Sequence, residues 1–353
     1  MNKPKVNPTR RTARGRVVVL SCGVLALVFG VLGILLGPLK VSLPDVLAIL
    51  TGSDIAGQVK TGVVLNIRLP RMVLGFAVGA SLGVSGAAMQ GFFRNPLADP
   101  ALIGVSAGGA LAAVAVIVLG GAVLSGLTEA LGSFALPVAA FFGSLVIVFL
   151  IYRLAMQEGR VIVATMLLAG VAANSLAVSG IGYLTFLADD TQLRDLTFWT
   201  LGSLGGATWD RAVPAIALMA IGVAGILTLA RPLNSLLFGE ADAAALGTNV
   251  ERTKRLAALC TALSVGAATA VCGVIGFVGL VVPHLVRLVT GPDHRFVLPG
   301  SALLGGVLVL GADLVARLAV SPAELPLGVV TSVLGAPFFF WLLLRDKKRG
   351  GFG

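Results

Sequence analysis

Residues Pro70–Phe92 read PRMVLGFAVGASLGVSGAAMQGF, and no charged residue lies between Arg71 and Arg94. A helix needs about 20 largely apolar residues to cross the hydrocarbon core of a bilayer, and this stretch meets that length. Val17–Gly37, Ala101–Leu124, Ser133–Tyr152, Val161–Leu187, Trp209–Ala230, Val297–Leu318 and Pro326–Leu344 satisfy the same rule. Arg255–Thr290 is long enough for two further spans joined near Gly273. Lipid offers no partner to free backbone N–H and C=O groups, so continuous apolar runs of this length must be helical. Transmembrane barrels show short alternating segments instead. The expected fold is therefore an all-α polytopic membrane protein with ten transmembrane helices. With 57% apolar and 12% charged residues, the chain leaves no room for a separate soluble domain. Its 46 glycines suit close approach between membrane helices.

The net charge of +10 invites a nucleic-acid reading, which its distribution opposes. With ten spans and both termini cytoplasmic, the inner side takes Lys3, Lys5, Arg10, Arg11, Arg14, Arg16, Arg94, Arg153, Arg160, Arg231, Arg252, Lys254, Arg255, Arg287, Arg295, Arg345, Lys347, Lys348 and Arg349. Lys40, Lys60, Arg68, Arg71, Arg194, Arg211 and Arg317 remain outside. That split is the positive-inside pattern, so lipid and not nucleic acid is the expected partner. Residues 1–16 read as a mobile basic cytoplasmic tail, 17–344 as the membrane domain, and 345–353 as a second cytoplasmic tail. Val17–Gly37 exceeds the apolar core of a secretory signal, and no small-x-small cleavage site follows it, so it reads as a retained anchor.

Patterns that carry enzyme chemistry are missing. There is no G-x-x-x-x-G-K-[ST] phosphate loop and no H-E-x-x-H. Cys22, Cys260 and Cys272 lie in predicted spans without metal-ligand spacing, and packing suffices to explain them. His284 and His294 are the only histidines. His284 is expected to make a helix-end hydrogen bond, and His294, beside Asp293 and Arg295, reads as a solvated turn. Uphill transport by such a chain would draw its energy from a gradient or from another subunit.

One internal repeat is visible at an offset of 187 residues: Val78-Gly79-Ala80 matches Val265-Gly266-Ala267, Gly86 matches Gly273, Pro96 matches Pro283, and Gly104 matches Gly291. The windows start five spans apart, so the halves, near 68–187 and 255–344, would be inverted pseudo-repeats, as in many transporters. Among the connections, Pro38–Ile67 has amphipathic character at Leu43–Leu50, and Ala188–Thr208 is long enough for a short surface helix. The inner loop 231–254 carries Gly239-Glu240-Ala241-Asp242-Ala243-Ala244-Ala245-Leu246-Gly247, a small-residue helix closed by glycine.

Five motifs occur in order: Arg68-Leu69-Pro70-Arg71 leading into Gly86-Ala87-Ala88-Met89-Gln90; Arg94-Asn95-Pro96-Leu97-Ala98-Asp99-Pro100; Gly276-Phe277-Val278-Gly279-Leu280-Val281-Val282-Pro283-His284; Asp313-Leu314-Val315-Ala316-Arg317; and Glu324-Leu325-Pro326-Leu327-Gly328. This set closely resembles the permease subunits of bacterial ABC importers for iron–siderophores, heme and vitamin B12, the FecCD permease family, over nearly the whole chain. The resemblance implies a ten-helix subunit of the bacterial plasma membrane. It pairs with a second permease, here most simply another copy, and with two cytoplasmic ATPase subunits and an extracytoplasmic binding protein. No cofactor is implied in this chain itself; ATP–Mg would be bound by the ATPase partners. The family carries histidine at the position of His284 whatever its cargo, so that residue does not identify heme.

The resemblance also assigns roles. Arg68, Arg71 and Arg317, at outer helix ends, would dock acidic residues of the binding protein, for which guanidinium is suited; interfacial anchoring is the alternative. Asp313 and Arg317, four residues apart on one helix, can also pair locally. Gly239, Glu240, Ala241, Asp242, Ala243, Leu246 and Gly247 would form the coupling helix seated in the ATPase. Asn95 and Leu97, with Val163, Ala164 and Thr165, would contribute to the gate and pathway. Proline chemistry at Asn95-Pro96 explains a cap and turn equally well, and the apolar Val163-Ala164-Thr165 departs from relatives that carry more hydroxyls there. The expected cargo is an iron chelate, ferric siderophore or heme, with vitamin B12 as the alternative. A gradient-driven secondary transporter is the rival class; it should need ionisable residues at mid-membrane depth.

Overall fold

The computed structural model describes residues 8–52, 57–320 and 323–348. Helices dominate. In chain order they are α1 (Pro8–Leu35), α2 (Leu43–Leu50), α3 (Gln58–Val63), α4 (Leu69–Phe92), α5 (Val105–Leu119), α6 (Ser125–Leu131), α7 (Ala135–Ala155), α8 (Val163–Leu187), α9 (Asp190–Leu201), α10 (Trp209–Thr228), α11 (Ala230–Leu236), α12 (Glu240–Ala245), α13 (Val250–Cys272), α14 (Val278–Thr290), α15 (His294–Leu318) and α16 (Leu327–Lys348). Between α7 and α8 a two-residue hairpin, β1 (Met156–Gln157) with β2 (Arg160–Val161), corrects the all-helical expectation. Glu158 and Gly159 at its tip take φ of 48° and 77°, the left-handed pair that a two-residue hairpin turn requires.

By length and composition, seven helical stretches among the described residues can cross a membrane, and three shorter apolar helices accompany them, Val105–Leu119, Val278–Thr290 and Leu327–Leu342. The shortening has local causes. After α4 the chain turns at Arg94 (φ 51°) and Asn95-Pro96, then makes a 3-10 turn, Pro100–Ile103, capped by Asp99. After α13, Gly273 (φ 73°) ends the helix, and the backbone stays non-helical until Val278. The predicted joint near Gly273 is thus real, but several residues wide.

Two tails differ from expectation. Helix α1 starts at Pro8, so residues 8–16 are helical and not a free tail; residues 1–7 lie outside the described part. Likewise α16 runs to Lys348, so residues 345–348 are helical; residues 349–353 lie outside the described part. The 187-residue offset matches like with like only in part: Val78-Gly79-Ala80 and Val265-Gly266-Ala267 both lie buried inside helices, α4 and α13, but the other pairs differ. Pro96 lies in a turn while Pro283 is inside α14; Gly104 precedes α5 while Gly291 follows α14; Gly86 is mid-helix while Gly273 is a cap. Small residues recur often enough here to align by composition alone.

Helix α4 is the hub, buried along nearly its whole length and packed against α10, α13, α14 and α15. A π-turn, Val64–Arg68, joins it to α3. That widened turn lies just before Pro70, which cannot donate to the preceding turn and crowds it. Glycines set how closely α4 meets α15. A Cβ at Gly79 would lie 2.2 Å from the Gly305 carbonyl oxygen, and one at Gly83 would lie 2.2 Å from that of Ser301. This is small-xxx-small packing, in which backbones touch because no side chain intervenes.

Candidate functional site

Polar chemistry collects at the two ends of the bundle. At the end where α4 begins, Arg68, Arg71 and Arg317 are all buried. Arg71 donates through Nε and Nη2 to Asp313 Oδ1 (3.0 and 2.8 Å). It also grips Glu324 in a fork, Nη1 to Oε1 at 2.9 Å and Nη2 to Oε2 at 2.8 Å. The Nε of Arg317 lies 3.1 Å from Asp313 Oδ2, as its spacing predicted, and its Nη2 donates to Gly33 O at 3.2 Å. Arg68 donates to the carbonyls of Ile34, Leu35 and Leu39. The last carbonyls of a helix lack intrahelical partners, and two guanidiniums supply them for α1. The structure therefore brings the three predicted docking arginines together and gives each an intramolecular partner. Binding-protein docking through them would require those partners to be exchanged. The Arg71–Glu324 fork, between residues far apart in the chain, had no local signal.

At the opposite end, α11 and α12 form a short arm. Gly239 (φ 120°) and Gly247 (φ 80°) bracket α12 in conformations that side chains resist. Of the predicted coupling residues only Ala243 is buried; Glu240, Ala241, Asp242, Leu246 and Gly247 face outward. Leu246 is 68% exposed and the neighbouring Phe238 71%. A small-residue helix with two apolar side chains beside it is a surface that lets a groove close around it.

Beneath α12 lies Lys254, 1% exposed. Its Nζ donates to Glu240 Oε2 at 2.8 Å and to Val161 O at 3.0 Å, and it lies 3.4 Å from Glu251 Oε1. Sequence reading placed Lys254 among the inner charges without giving it a role.

The predicted gate residues divide into two segments. Asn95 Oδ1 accepts from Leu97 N at 2.9 Å, an Asx turn in which both residues are exposed. Val163, Ala164 and Thr165 form the first turn of α8, with Ala164 exposed and its neighbours half-buried. The 3-10 turn that follows Asn95 and Leu97 meets α8: Gly170 packs against the Leu102 carbonyl, and Asn174 donates to Ala101 O at 3.2 Å.

The histidines correct their readings. His294 is no solvated turn: it is fully buried, with Nδ1 2.9 Å from Asn234 Oδ1. Asn234 in turn donates to Asp293 Oδ1 at 2.7 Å, tying α11 to the start of α15. Burial alone would raise the pKa of Asp293, but hydrogen bonds from Arg295 and Asn234 outweigh it and bring the carboxyl down to about 2. His284 lies in the middle of α14, not at a helix end, with its ring 5.9 Å from that of Phe338. Arg287 reaches Gln90 and the Ala87 carbonyl across the α4–α14 contact. Burial keeps the Asp99 carboxyl above its ordinary value, against the hydrogen bond from Ala101 N.

A model of the FecCD transport family matches residues 25–345. The hemin transport system permease of Yersinia pestis is 48% identical over 81% of this chain and 84% of its own length. The cobalamin import permease of Halobacterium salinarum is 43% identical over 88% and 77%. The vitamin B12 import permease of Klebsiella pneumoniae is 41% identical over 81% and 83%. A chain of a solved metal-chelate type ABC transporter, in an inward-facing conformation, superposes with a TM-score of 0.82 at 27% identity. It covers 94% of this chain and 99% of that one.

Proposed function

Because this chain belongs to the FecCD transport family, as a multi-pass inner-membrane permease subunit of an ABC importer, we propose that it passes an iron chelate inward by alternating access, powered by ATPase partners. The observation that carries the coupling half of this reading is α12. It is an exposed, glycine-bracketed helix at the basic end of the bundle, flanked by Phe238 and Leu246, which nothing among the described residues covers. An ATPase groove is the natural cover for such a helix, and ATP–Mg would sit in that partner.

The seven long and three shorter apolar helices would make ten spans, an even number that puts both ends of the bundle on one side, which the positive-inside pattern makes the cytoplasmic one. Two interrupted segments, one after α4 and one after α13, support an inverted arrangement of halves. The pathway would run along α8, whose exposed face carries Ala164, Ser175 and Ser179 in one stripe. Hydroxyl and small groups suit a route that binds cargo weakly, and a second copy of this chain would close the other wall, as symmetric assembly favours. A binding protein would dock at the Arg68–Arg71–Arg317 end.

Heme is the first cargo to test, because the hemin permease shares the higher identity; cobalamin is the second reading, supported by the two vitamin permeases. The test is ATP-dependent uptake by the complex in liposomes, offering hemin, a ferric siderophore and cobalamin in turn. Uptake by the chain alone, driven by an ion gradient without nucleotide, would overturn the whole reading. For docking, Glu324→Gln removes the more exposed of the two charges that hold Arg71, leaving Asp313, and should tighten binding-protein association; unchanged or weaker association removes Arg71 from that role.

A further inference from the structure

Lys254 is a buried cation that the proposed cycle does not yet use. An isolated ammonium away from water is costly, and here three groups from three elements offset that cost. Glu240 belongs to α12, Glu251 to α13, and the Val161 carbonyl to β2. Glu251 closes the ring by accepting the Val161 N–H through Oε2 at 2.9 Å. Both backbone groups of Val161 are thus held, its carbonyl by Lys254 and its N–H by Glu251. Only Ile162 separates Val161 from Val163, the first residue of α8, and Ile162 N is itself tied to the Ala155 carbonyl at the end of α7. The hairpin therefore has little slack to absorb a displacement before α8 begins.

We propose that Lys254 is the positioning residue through which the position of α12 sets the position of the first turn of α8. The inference rests on the reading of α12 as the ATPase-coupling helix. An ammonium has three N–H donors and can divide them among acceptors. With Glu240 in place, one donor goes to α12 and one to the hairpin. When α12 shifts and Glu240 withdraws, the ammonium stays buried and leans on Val161 and Glu251 alone. The hold on the hairpin, and with it Ala164, then differs between the two positions of α12. Glu240 is 46% exposed at its side chain while Lys254 is 1% exposed, so the link runs from a solvent-facing helix into the bundle. A pin that merely stabilised the fold would gain nothing from this asymmetry.

The test uses the complex of this chain with the ATPase that co-purifies with it, in nanodiscs, with Cys22, Cys260 and Cys272 replaced by alanine and Ala164→Cys as reporter. The readout is the rate at which a maleimide labels position 164, with and without ATP and vanadate. We expect nucleotide to change that rate in the otherwise unaltered chain, and Lys254→Met to shrink the change by about tenfold, within the range of coupling between linked sites. Glu240→Gln, which alters only the exposed partner, should shrink it in the same direction if Lys254→Met fails to assemble, and Lys254→Arg should restore part of it. A nucleotide response that persists at full size in Lys254→Met or Glu240→Gln overturns the proposal. So does a reporter chain that binds the ATPase yet shows no response at position 164. Failure of the reporter chain to retain any ATPase instead defeats the coupling reading itself, so the two failures are distinguishable.

Discussion

Each end of the bundle buries one cation between two carboxylates. Arg71 lies between Asp313 and Glu324, and Lys254 between Glu240 and Glu251. The chemistry is nearly the same, but the elements it joins are not. Asp313 is fixed in the last turns of α15 and shared with Arg317, while neighbouring arginines cap α1. That end fastens long helices to one another. Glu240 rides on a six-residue helix facing solvent, and Val161 on a two-residue strand. The other end fastens short elements to one long helix. A buried ion pair therefore does not by itself identify a clamp or a lever; the rigidity of the elements that carry it does.

The largest expected effect tests the clamp. Asp313→Asn leaves Arg71 and Arg317 short of countercharge in a dry site and should cost about 3–5 kcal/mol, the usual penalty for breaking a buried pair from one side. Thermal unfolding in detergent measures it, and a loss under about 1 kcal/mol would mean that this end is no tighter than a surface pair. Glu251→Gln should cost less, about 1–2 kcal/mol, because its amide oxygen still accepts from the Val161 N–H while Lys254 keeps Glu240 and the Val161 carbonyl. If it equals Asp313→Asn, the contrast between the ends collapses. Phe238→Asp with Leu246→Asp should abolish ATPase association while leaving the melting temperature unchanged, since both side chains face outward; retained association refutes the coupling surface.

A pH prediction follows for Asp293, whose folded pKa of about 2 lies below the value of about 4 expected unfolded. Its contribution is present in full above the unfolded value and is lost as pH falls toward 2. After correction for intrinsic rates, the first turn of α15 should therefore lose more amide-exchange protection than the middle of that helix as pH falls from about 5 to about 2.5. Equal protection would show that Asp293 does not hold the α11–α15 junction. The smallest effect should come from Lys60→Ala, which breaks a half-buried pair with Asp45 on the short helix α2. A single pair near the surface is partly screened and adds little, so a large loss of stability there would show that α2 is braced far more firmly than its position implies.

What was legible in the amino-acid order is what water and lipid dictate locally. Apolar runs of bilayer length located α4, α7, α8, α10 and α15 to within a few residues, and the glycine-closed segment 239–247 emerged as a helix with its glycines at positive φ. The i, i+4 spacing disclosed Asp313 with Arg317. Composition misled in other places: it aligned Pro96 with Pro283 although one turns and the other is helical, and it began the first helix at Val17 because basic residues do not look like a span although nothing prevents them from being helical.

Hydropathy, proline and glycine act over a handful of residues, so the order of residues was enough to determine that this chain is a bundle of membrane helices, where its breaks fall, and that a short helix closed by glycines lies between α11 and α13. Which buried cation meets which carboxylate was decided only by tertiary packing. Arg71 finds Glu324 and Lys254 finds Val161 across intervening helices. Electrostatic attraction has no sequence period, and the desolvated pocket that makes those pairings necessary exists only once the helices have closed around them.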